Sequence, residues 1–412
     1  MRVQAVVQEQ AFWFAWSQIP GLGSTLVYRV YQHFGDLQTA WESDTASILE
    51  VDGIGLQTAL AIDKTRSSLD VEQSFDNHVQ HNPNFWTPID ADYPRLLLEL
   101  PDPPLMLYYR GKVEPEENQG IIPAIAIVGT RRPTDYGKRW TRRIARALAH
   151  AGFTVISGLA EGVDAEAHRS VLEQRGRTIA VIGTGVNLVY PLSNRRLAQE
   201  IAEYGLIISE YPVGTKPDRA HFPQRNRIIA GLSRSILVIE APVQSGALIT
   251  ARLATDYNRD VYALPGSLDN LNSEGCLRLI HDGAHMILNE DSLLEMLETM
   301  PSLWNPECLE PRNSQASSQT TELEPTSHSS SNQQRKKHSS SSTSRPALRP
   351  LPLPSLSPDL KQVFQVVALD PVALDFIVEN SSMPTGTVLG LLSQLELMGL
   401  VAQLPGMLYQ RC

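Results

Sequence analysis

Six short apolar runs separated by helical patterns constrain the fold of this chain most strongly. Between residues 120 and 300 the runs are rich in valine and isoleucine: AIAIVG, FTVISG, TIAVIG, LIISEY, SILVIEA and VYALPG. Such runs are typical of parallel strands covered on both faces. Stretches such as GKRWTRRIARALAHAG and DAEAHRSVLEQRG between them have a helical pattern. Strands that alternate with helices predict an α/β fold, a Rossmann-like doubly wound and mostly parallel sheet, over residues 83–304.

Two segments border this pattern. HMILN, at residues 285–289, is a candidate for one more strand. Residues 83–118 contain many prolines, and we expect an extended lead-in that packs on the edge of the sheet.

The first 82 residues contain a weak internal repeat. IPGLG and VDGIG share one glycine pattern, and a helical pattern follows each. This predicts a helical domain of the helix-hairpin-helix or SAM-like type, in which amides at a helix start can hold a DNA phosphate. Few lysines follow either turn, so a small bundle in which the glycines only form turns is the favoured alternative.

The last 108 residues divide into a linker and a small domain. Residues 305–357 are rich in serine and proline and nearly free of large apolar side chains, which predicts a disordered linker. Residues 358–412 show three helical patterns followed by VAQLPGMLYQR, which reads as two strands around a Pro-Gly turn. Three helices and a hairpin predict a winged helix.

Composition limits the function classes. The net charge is −10, from 35 basic and 45 acidic residues, so a nucleic-acid interface requires local clustering of cations. Three cysteines without metal-ligand spacing predict a reducing cytoplasm and no metal site. No apolar run approaches the roughly 20 residues of a membrane span, and the start of the chain lacks the apolar core of a signal peptide. We expect a cytoplasmic protein.

Loops at strand ends carry the candidate binding residues, since ligands of open parallel sheets bind beyond the carboxyl ends of the strands. Gly129, Thr130 and Arg131 follow the first run, where helix-start amides and one guanidinium favour an anion. Ser245 and Gly246 begin a helix after the fifth run in the same way. Neither loop is a GxGxxG or Walker motif, so no nucleotide cofactor is predicted. The arginines further along the first helix are expected to be a solvated face.

The stretch AHFPQRNRIIAGLS, residues 220–233, adds an aromatic ring and more cations. Arg219, Phe222, Arg225, Asn226 and Arg227 lie at the mouth of a helix with a buried face. Phe222 can be a hydrophobic contact at the helix entry. An aromatic ring beside guanidinium groups is also the pattern that binds single-stranded nucleic acid, with bases on the ring and phosphates on the cations.

Six of these segments, in this order and spacing, resemble the DNA-processing protein A (DprA/Smf) family. They are IAIVGTRRPTDYG, VISGLAEGVDAEAH, TIAVIGTGVNLVYP, FPQRNRIIAGLS, SGALITA and ALPGS. The resemblance implies a dimer without catalysis that binds single-stranded DNA and loads the RecA recombinase onto it in natural transformation. It also implies a DNA pocket that contains Arg131, Arg219 and Phe222. This chain departs from the family in having Glu161 where an arginine is common, which should weaken phosphate binding, and Leu277 where an asparagine is common.

Two other functions stay open at this point. A nucleotide-cleaving hydrolase of the phosphoribohydrolase type would use Glu240 or Asp164 as its carboxylate, although the PGGxGTxxE loop of such enzymes is missing. Asp164 and His168, four residues apart, are a conceivable catalytic pair, but a cap-and-partner role is favoured. A regulator of double-stranded DNA would use the winged helix, which carries two basic and five acidic residues and so lacks a phosphate-binding charge.

Overall fold

A computed structural model describes residues 2–299 and, of the C-terminal part, residues 358–367, 372–381, 383–397, 400–404 and 408–411. The chain divides into two compact units, Met1–Gln315 and Ala316–Cys412. The linker prediction for residues 305–357 falls outside the described residues.

Six helices begin the first unit. They are α1 (Arg2–Ser17), α2 (Ser24–Phe34), α3 (Leu37–Glu42), α4 (Thr45–Leu49), α5 (Leu56–Ser68) and α6 (Val71–His81). The repeated glycines precede α2 and α5, where Gly21 and Gly53 take the positive φ values of 78° and 88° that favour glycine. Phe14 of α1 and Phe75 of α6 belong to the same buried cluster as Ile182 of the sheet, so these helices pack directly on the sheet.

Nine strands form one sheet. They are β1 (Phe85–Trp86), β2 (Leu107–Gly111), β3 (Ala124–Val128), β4 (Thr154–Ser157), β5 (Thr178–Ile182), β6 (Leu206–Ser209), β7 (Ser235–Val238), β8 (Asp260–Ala263) and β9 (His285–Met286). Their order is β1-β2-β6-β5-β4-β3-β7-β8-β9. The strands β3 to β9 pair in parallel, while β1 and β2 are antiparallel. Each of the six apolar runs therefore contains a parallel strand, and HMILN adds β9. The segment 83–118 joins one side of the sheet as β1, the edge strand, and β2, which pairs with β1 and β6.

Helices cover both faces of this sheet. They are α7 (Pro115–Asn118), α8 (Asp135–His150), α9 (Val163–Glu173), α10 (Arg195–Tyr204), α11 (His221–Leu232), α12 (Gly246–Asp256), α13 (Glu274–His281) and α14 (Glu290–Glu298), with 3-10 helices at Arg95–Glu99 and Leu192–Asn194. Successive residues of β3 alternate between the faces. Ile125 and Ile127 pack with α8 and α9, whereas Ala126 and Val128 pack with α11 and α12.

The strand order creates a switch point. The chain runs from β3 outward through β4, β5 and β6, then returns to the other side of β3 as β7. The connections leave the carboxyl ends of β3 and β7 in opposite directions, which opens a crevice at this edge.

The second unit contains α15 (Pro358–Val366), β10 (Val372–Ala373), α16 (Leu374–Ser381), α17 (Thr385–Leu397), β11 (Val401–Leu404) and β12 (Leu408–Arg411). The strands form an antiparallel sheet in the order β10-β12-β11. The three helices and the hairpin strands match the expected winged helix, and β10 is a short strand that the sequence did not predict. The predicted turn residues, Pro405 and Gly406, lie outside the described residues.

Candidate nucleic-acid interface

A crevice of about 680 Å³ lies at the switch point between β3 and β7. Of the ten residues predicted to bind DNA, nine line this crevice: Gly129, Thr130, Arg131, Arg219, Phe222, Arg225, Asn226, Ser245 and Gly246. Loops distant in sequence therefore converge, because they all follow the carboxyl ends of neighbouring strands or begin the helices beside them.

The turn after β3 is held tightly against its neighbours. A Cβ atom at Gly129 would lie 2.6 Å from Val163 Cγ2 and 3.0 Å from the Glu240 carbonyl oxygen, so only glycine fits. The Thr130 amide donates a hydrogen bond of 2.6 Å to that same carbonyl. Arg131 comes next and is exposed. The backbone of this turn is therefore held in place, and the side chain of Arg131 that follows it is exposed.

Arg131 lies beside the aromatic ring of Phe222. Its Cζ atom is 5.9 Å from the ring centroid, within cation–π range. Phe222 is half-buried and packs on Gly183 at the end of β5, where a Cβ atom would lie 3.3 Å from the ring. The predicted convergence of a cation and an accessible ring is confirmed by this distance.

The rim of the crevice carries uncompensated positive charge. Arg131 and Arg219 are both exposed and both line the crevice. Within the described residues, neither guanidinium has a carboxylate in ion-pair range. These two groups can therefore bind phosphate without first breaking an internal ion pair.

Arg225 lines the crevice as expected, but it is a buried residue and not an exposed cation. It is only 6% exposed, and Nη1 donates hydrogen bonds to the carbonyl oxygens of Gly158, at 2.7 Å, and Val181. Burial is the largest of the effects that lower the pKa of Arg225 to about 10; the nearby Arg131 acts in the same direction, and Asp164 acts against both. Through Nη1, Arg225 ties the end of β4 to the end of β5 under the crevice.

Arg227 does not line the crevice. Side chains two residues apart on an α-helix, such as those of Arg225 and Arg227, point in nearly opposite directions. Arg227 forms ion pairs with Asp102, at 3.1 Å, and with Glu210. It therefore lies outside the crevice that the other nine predicted residues line. Asn226 does line the crevice, and its Nδ2 atom donates to the Gly246 carbonyl at 3.4 Å.

Asp164 and His168 form hydrogen bonds with different partners in the described structure. Asp164 accepts hydrogen bonds from the amides of Gly158, at 3.2 Å, and Ala160, at 3.3 Å. Burial raises its pKa, against the lowering effect of Arg225. His168 is fully buried and contacts Thr178 Oγ1 through Nδ1 at 2.7 Å. Burial lowers the pKa of His168 to about 3, so its imidazole is neutral.

Glu240 is the other carboxylate that a hydrolase would need. It is 1% exposed and accepts hydrogen bonds from the Thr134 amide, at 2.8 Å, and the Thr134 hydroxyl, at 2.6 Å. It therefore holds the start of α8 and faces away from the crevice lining. Gly137 is required beside it, since a Cβ atom there would lie 2.4 Å from the carboxylate.

The arginines of α8 form the solvated face that was expected. Arg142, Arg143 and Arg146 pair with Glu166, Glu290 and Glu173, which lie on α9 and α14. The charge on this face is therefore largely compensated by carboxylates of the neighbouring helices.

Among residues 2–299 and the described parts of the C-terminal unit, no group of three or more histidine, cysteine, aspartate or glutamate residues could hold a metal ion. The same residues contain no helix long and apolar enough to cross a membrane. Cys276 is buried, and burial raises the pKa of its thiol to about 12.

Sequence reasoning missed Tyr190, which also lines the crevice. It follows β5 in the segment TGVNLVYP, where an aromatic residue in a strand-end loop was the available signal. Glu161 is exposed and accepts a hydrogen bond of 3.0 Å from Ser193, next to the lining residue Ala160.

Comparisons with known proteins agree with this architecture. The family described as DNA recombination-mediator protein A matches residues 84–298, and the DprA winged helix domain matches residues 347–407. Protein Smf of Synechocystis sp. is 48% identical over 98% of this chain and 99% of its own length. Protein Smf of Escherichia coli is 34% identical over 77% of this chain and 75% of its own length.

A solved structure gives the same result in three dimensions. The X-ray structure of DNA processing protein A from Streptococcus pneumoniae has a TM-score of 0.60 and 33% identity, over 68% of this chain and 94% of that one. The matches cover nearly the whole chain and include both units. This chain therefore belongs to the family of DNA recombination-mediator protein A, the DNA-processing proteins known as DprA or Smf.

Proposed function

We propose that this protein binds single-stranded DNA in the crevice between β3 and β7 and delivers it to the RecA recombinase. One observation carries the DNA-binding part of the proposal. Two exposed guanidinium groups without ion-pair partners in the described structure line the same crevice as a half-buried phenyl ring, and Arg131 Cζ is 5.9 Å from the Phe222 centroid. Cations bind phosphates and the ring stacks on bases, which are the two contacts that single strands need.

The same geometry favours unpaired over paired DNA. The bases of a duplex are stacked on one another. A ring that lines a crevice can therefore stack only on a nucleobase that has left the duplex stack. Contacts to phosphates carry no sequence information, and stacking tolerates every base. Binding is therefore largely independent of sequence.

The proposal includes no chemical step on the DNA. The two carboxylates that a hydrolase would use are engaged elsewhere: Glu240 holds the start of α8, and Asp164 holds the loop after β4. Incubation with nucleoside monophosphates tests this point, and release of free base at a catalytic rate would contradict it.

The winged helix is proposed to contact protein instead of duplex DNA. Of its two basic residues, Arg411 is occupied by the carbonyl oxygens of Phe364 and Gln365. Lys361 is the other basic residue of this segment, which also contains five acidic residues. Deletion of residues 350–412 should leave single-strand affinity nearly unchanged. The RecA partner, a homodimer and a cytoplasmic location are proposed on the family resemblance.

The test is a salt titration with single- and double-stranded oligonucleotides of equal length. Arg131→Ala should weaken single-strand binding and lower the slope of log K against log salt by about 0.7, the value for one lost phosphate contact. Phe222→Ala should weaken binding by roughly 1–3 kcal/mol and leave the slope nearly unchanged, because stacking releases no counterions. Equal affinity for both DNA forms, or wild-type affinity of both variants, would refute the proposal.

A further inference from the structure

Tyr190 is the largest exposed apolar surface at the crevice that the proposed contacts leave unused. It is 47% exposed and lines the crevice beside Phe222. The two ring centroids are 5.6 Å apart, with an interplanar angle of 35°. Phe222 therefore has both Arg131 and Tyr190 as neighbours, at 5.9 and 5.6 Å from its ring centroid.

The loop that carries Tyr190 is anchored on both sides. Before it, Thr184 Oγ1 donates to the Leu188 carbonyl at 2.7 Å. After it, Asn194 is 2% exposed, and its Nδ2 atom donates to the carbonyl oxygens of Leu159, at 3.0 Å, and Ala160, at 3.2 Å. An exposed ring on an anchored loop loses little conformational freedom when a ligand binds, which favours recognition.

The spacing of the rings determines how a strand can use them. A base between two rings requires a separation of about 7 Å, twice the stacking distance of roughly 3.4 Å. The observed 5.6 Å is too small for insertion, and the rings are not parallel. Bases can therefore stack on the accessible faces of the two rings in turn, one nucleotide for each ring.

We propose that Tyr190 is a second base-stacking platform, which holds the nucleotide adjacent to the one on Phe222. This inference rests on the proposed function. It adds the path of the DNA strand over the protein, which passes Arg131, Phe222 and the Tyr190 loop. The hydroxyl group is not required, because the contact is made by the ring.

The first experiment compares variants on an oligothymidine of about twelve nucleotides. Tyr190→Leu, which keeps an apolar side chain, should raise the Kd at least about fivefold, the effect of roughly 1 kcal/mol of stacking. Tyr190→Phe should bind like the wild type. Tyr204→Leu is the matched control, since Tyr204 is 57% exposed and does not line the crevice. Thermal melts should be the same for all these variants.

The second experiment uses the unmodified protein and oligothymidine with a single 5-iodouracil, which crosslinks under ultraviolet light to a ring on which it stacks. Scanning the substituted position should give crosslinks to Phe222 and, one nucleotide away, to Tyr190.

The outcomes separate the inference from the function on which it rests. Crosslinks at Phe222 alone, or wild-type affinity of Tyr190→Leu together with weakened binding of Phe222→Ala, would overturn the second platform and leave the proposed function intact. Wild-type affinity of both ring variants and of Arg131→Ala would overturn both.

Discussion

Arg219 and Arg225 are six residues apart in one stretch of sequence, yet they occupy opposite environments. Arg219 stands on the exposed rim of the crevice, and its guanidinium has no ion-pair partner in the described residues. Arg225 lies in the buried floor, where it binds the Gly158 and Val181 carbonyl oxygens and offsets the charge of Asp164. One residue type is thus available for a ligand at one place and forms structural contacts at the other.

The comparison shows that burial decides which guanidinium group is available to bind a ligand. A buried guanidinium must keep its hydrogen bonds, since losing them leaves an uncompensated charge. An exposed one can exchange water for phosphate. Arg131 also lowers the pKa of Arg225, so the rim and the floor repel each other. Phosphate bound at the rim would relieve this repulsion.

The largest expected effect is a loss of stability on replacement of Arg225, which lies in the floor of the crevice. Arg225→Met should lower the free energy of unfolding by about 3–5 kcal/mol, because two carbonyl oxygens lose their donor and Asp164 loses its countercharge. Urea titration measures this loss. Arg219→Met should change stability by less than about 0.5 kcal/mol. A stable Arg225→Met protein that fails to bind DNA would show that Arg225 is a ligand contact after all.

The next effect is on the rim. Replacement of both Arg131 and Arg219 by alanine should weaken single-strand binding about 100-fold at low salt, through two lost charge-assisted contacts. The salt slope should fall by about 1.4, twice the single-contact value. The control is Arg142→Ala combined with Arg146→Ala, which removes two cations paired with Glu166 and Glu173. If the control loses as much affinity, net charge and not the crevice controls binding.

A smaller effect concerns the buried histidine next to the floor. Burial and the charges of Arg225 and Arg169 lower the pKa of His168 to about 3, against roughly 6.5 in the unfolded chain. Below pH 6.5 only the unfolded chain gains the proton, so acid favours unfolding by about 1.4 kcal/mol per pH unit. Between pH 6.5 and 5 the free energy of unfolding of the wild type should fall by about 2 kcal/mol more than that of His168→Gln. Parallel stability profiles for the two proteins would contradict the neutral assignment.

The sequence predicts the parallel strands and the converging loops, because hydrophobic period and strand-end position are local signals. It predicts Arg131, Arg219 and Phe222 at the crevice for the same reason. It could not separate Arg225 or Arg227 from these residues, because burial depends on which strand carbonyls or carboxylates lie opposite, and Asp102 is 125 residues away. The pairing of β2 with β6 was likewise hidden, since prolines mask a strand whose partner is distant in sequence.

The smallest effect tests the acidic residue at the edge of the rim. Glu161 is exposed, hydrogen-bonds Ser193 and follows the lining residue Ala160, so its charge opposes the approach of phosphate without contact. Glu161→Gln keeps a hydrogen-bond acceptor for Ser193 and should strengthen single-strand binding by up to about 1 kcal/mol at low salt. The gain should disappear near 1 M salt, where the screening length falls to about 3 Å. Glu173→Gln, on the outer face of α9, should give no gain. A gain that persists at high salt would instead indicate a direct contact between residue 161 and the strand, and the boundary of the crevice would then include it.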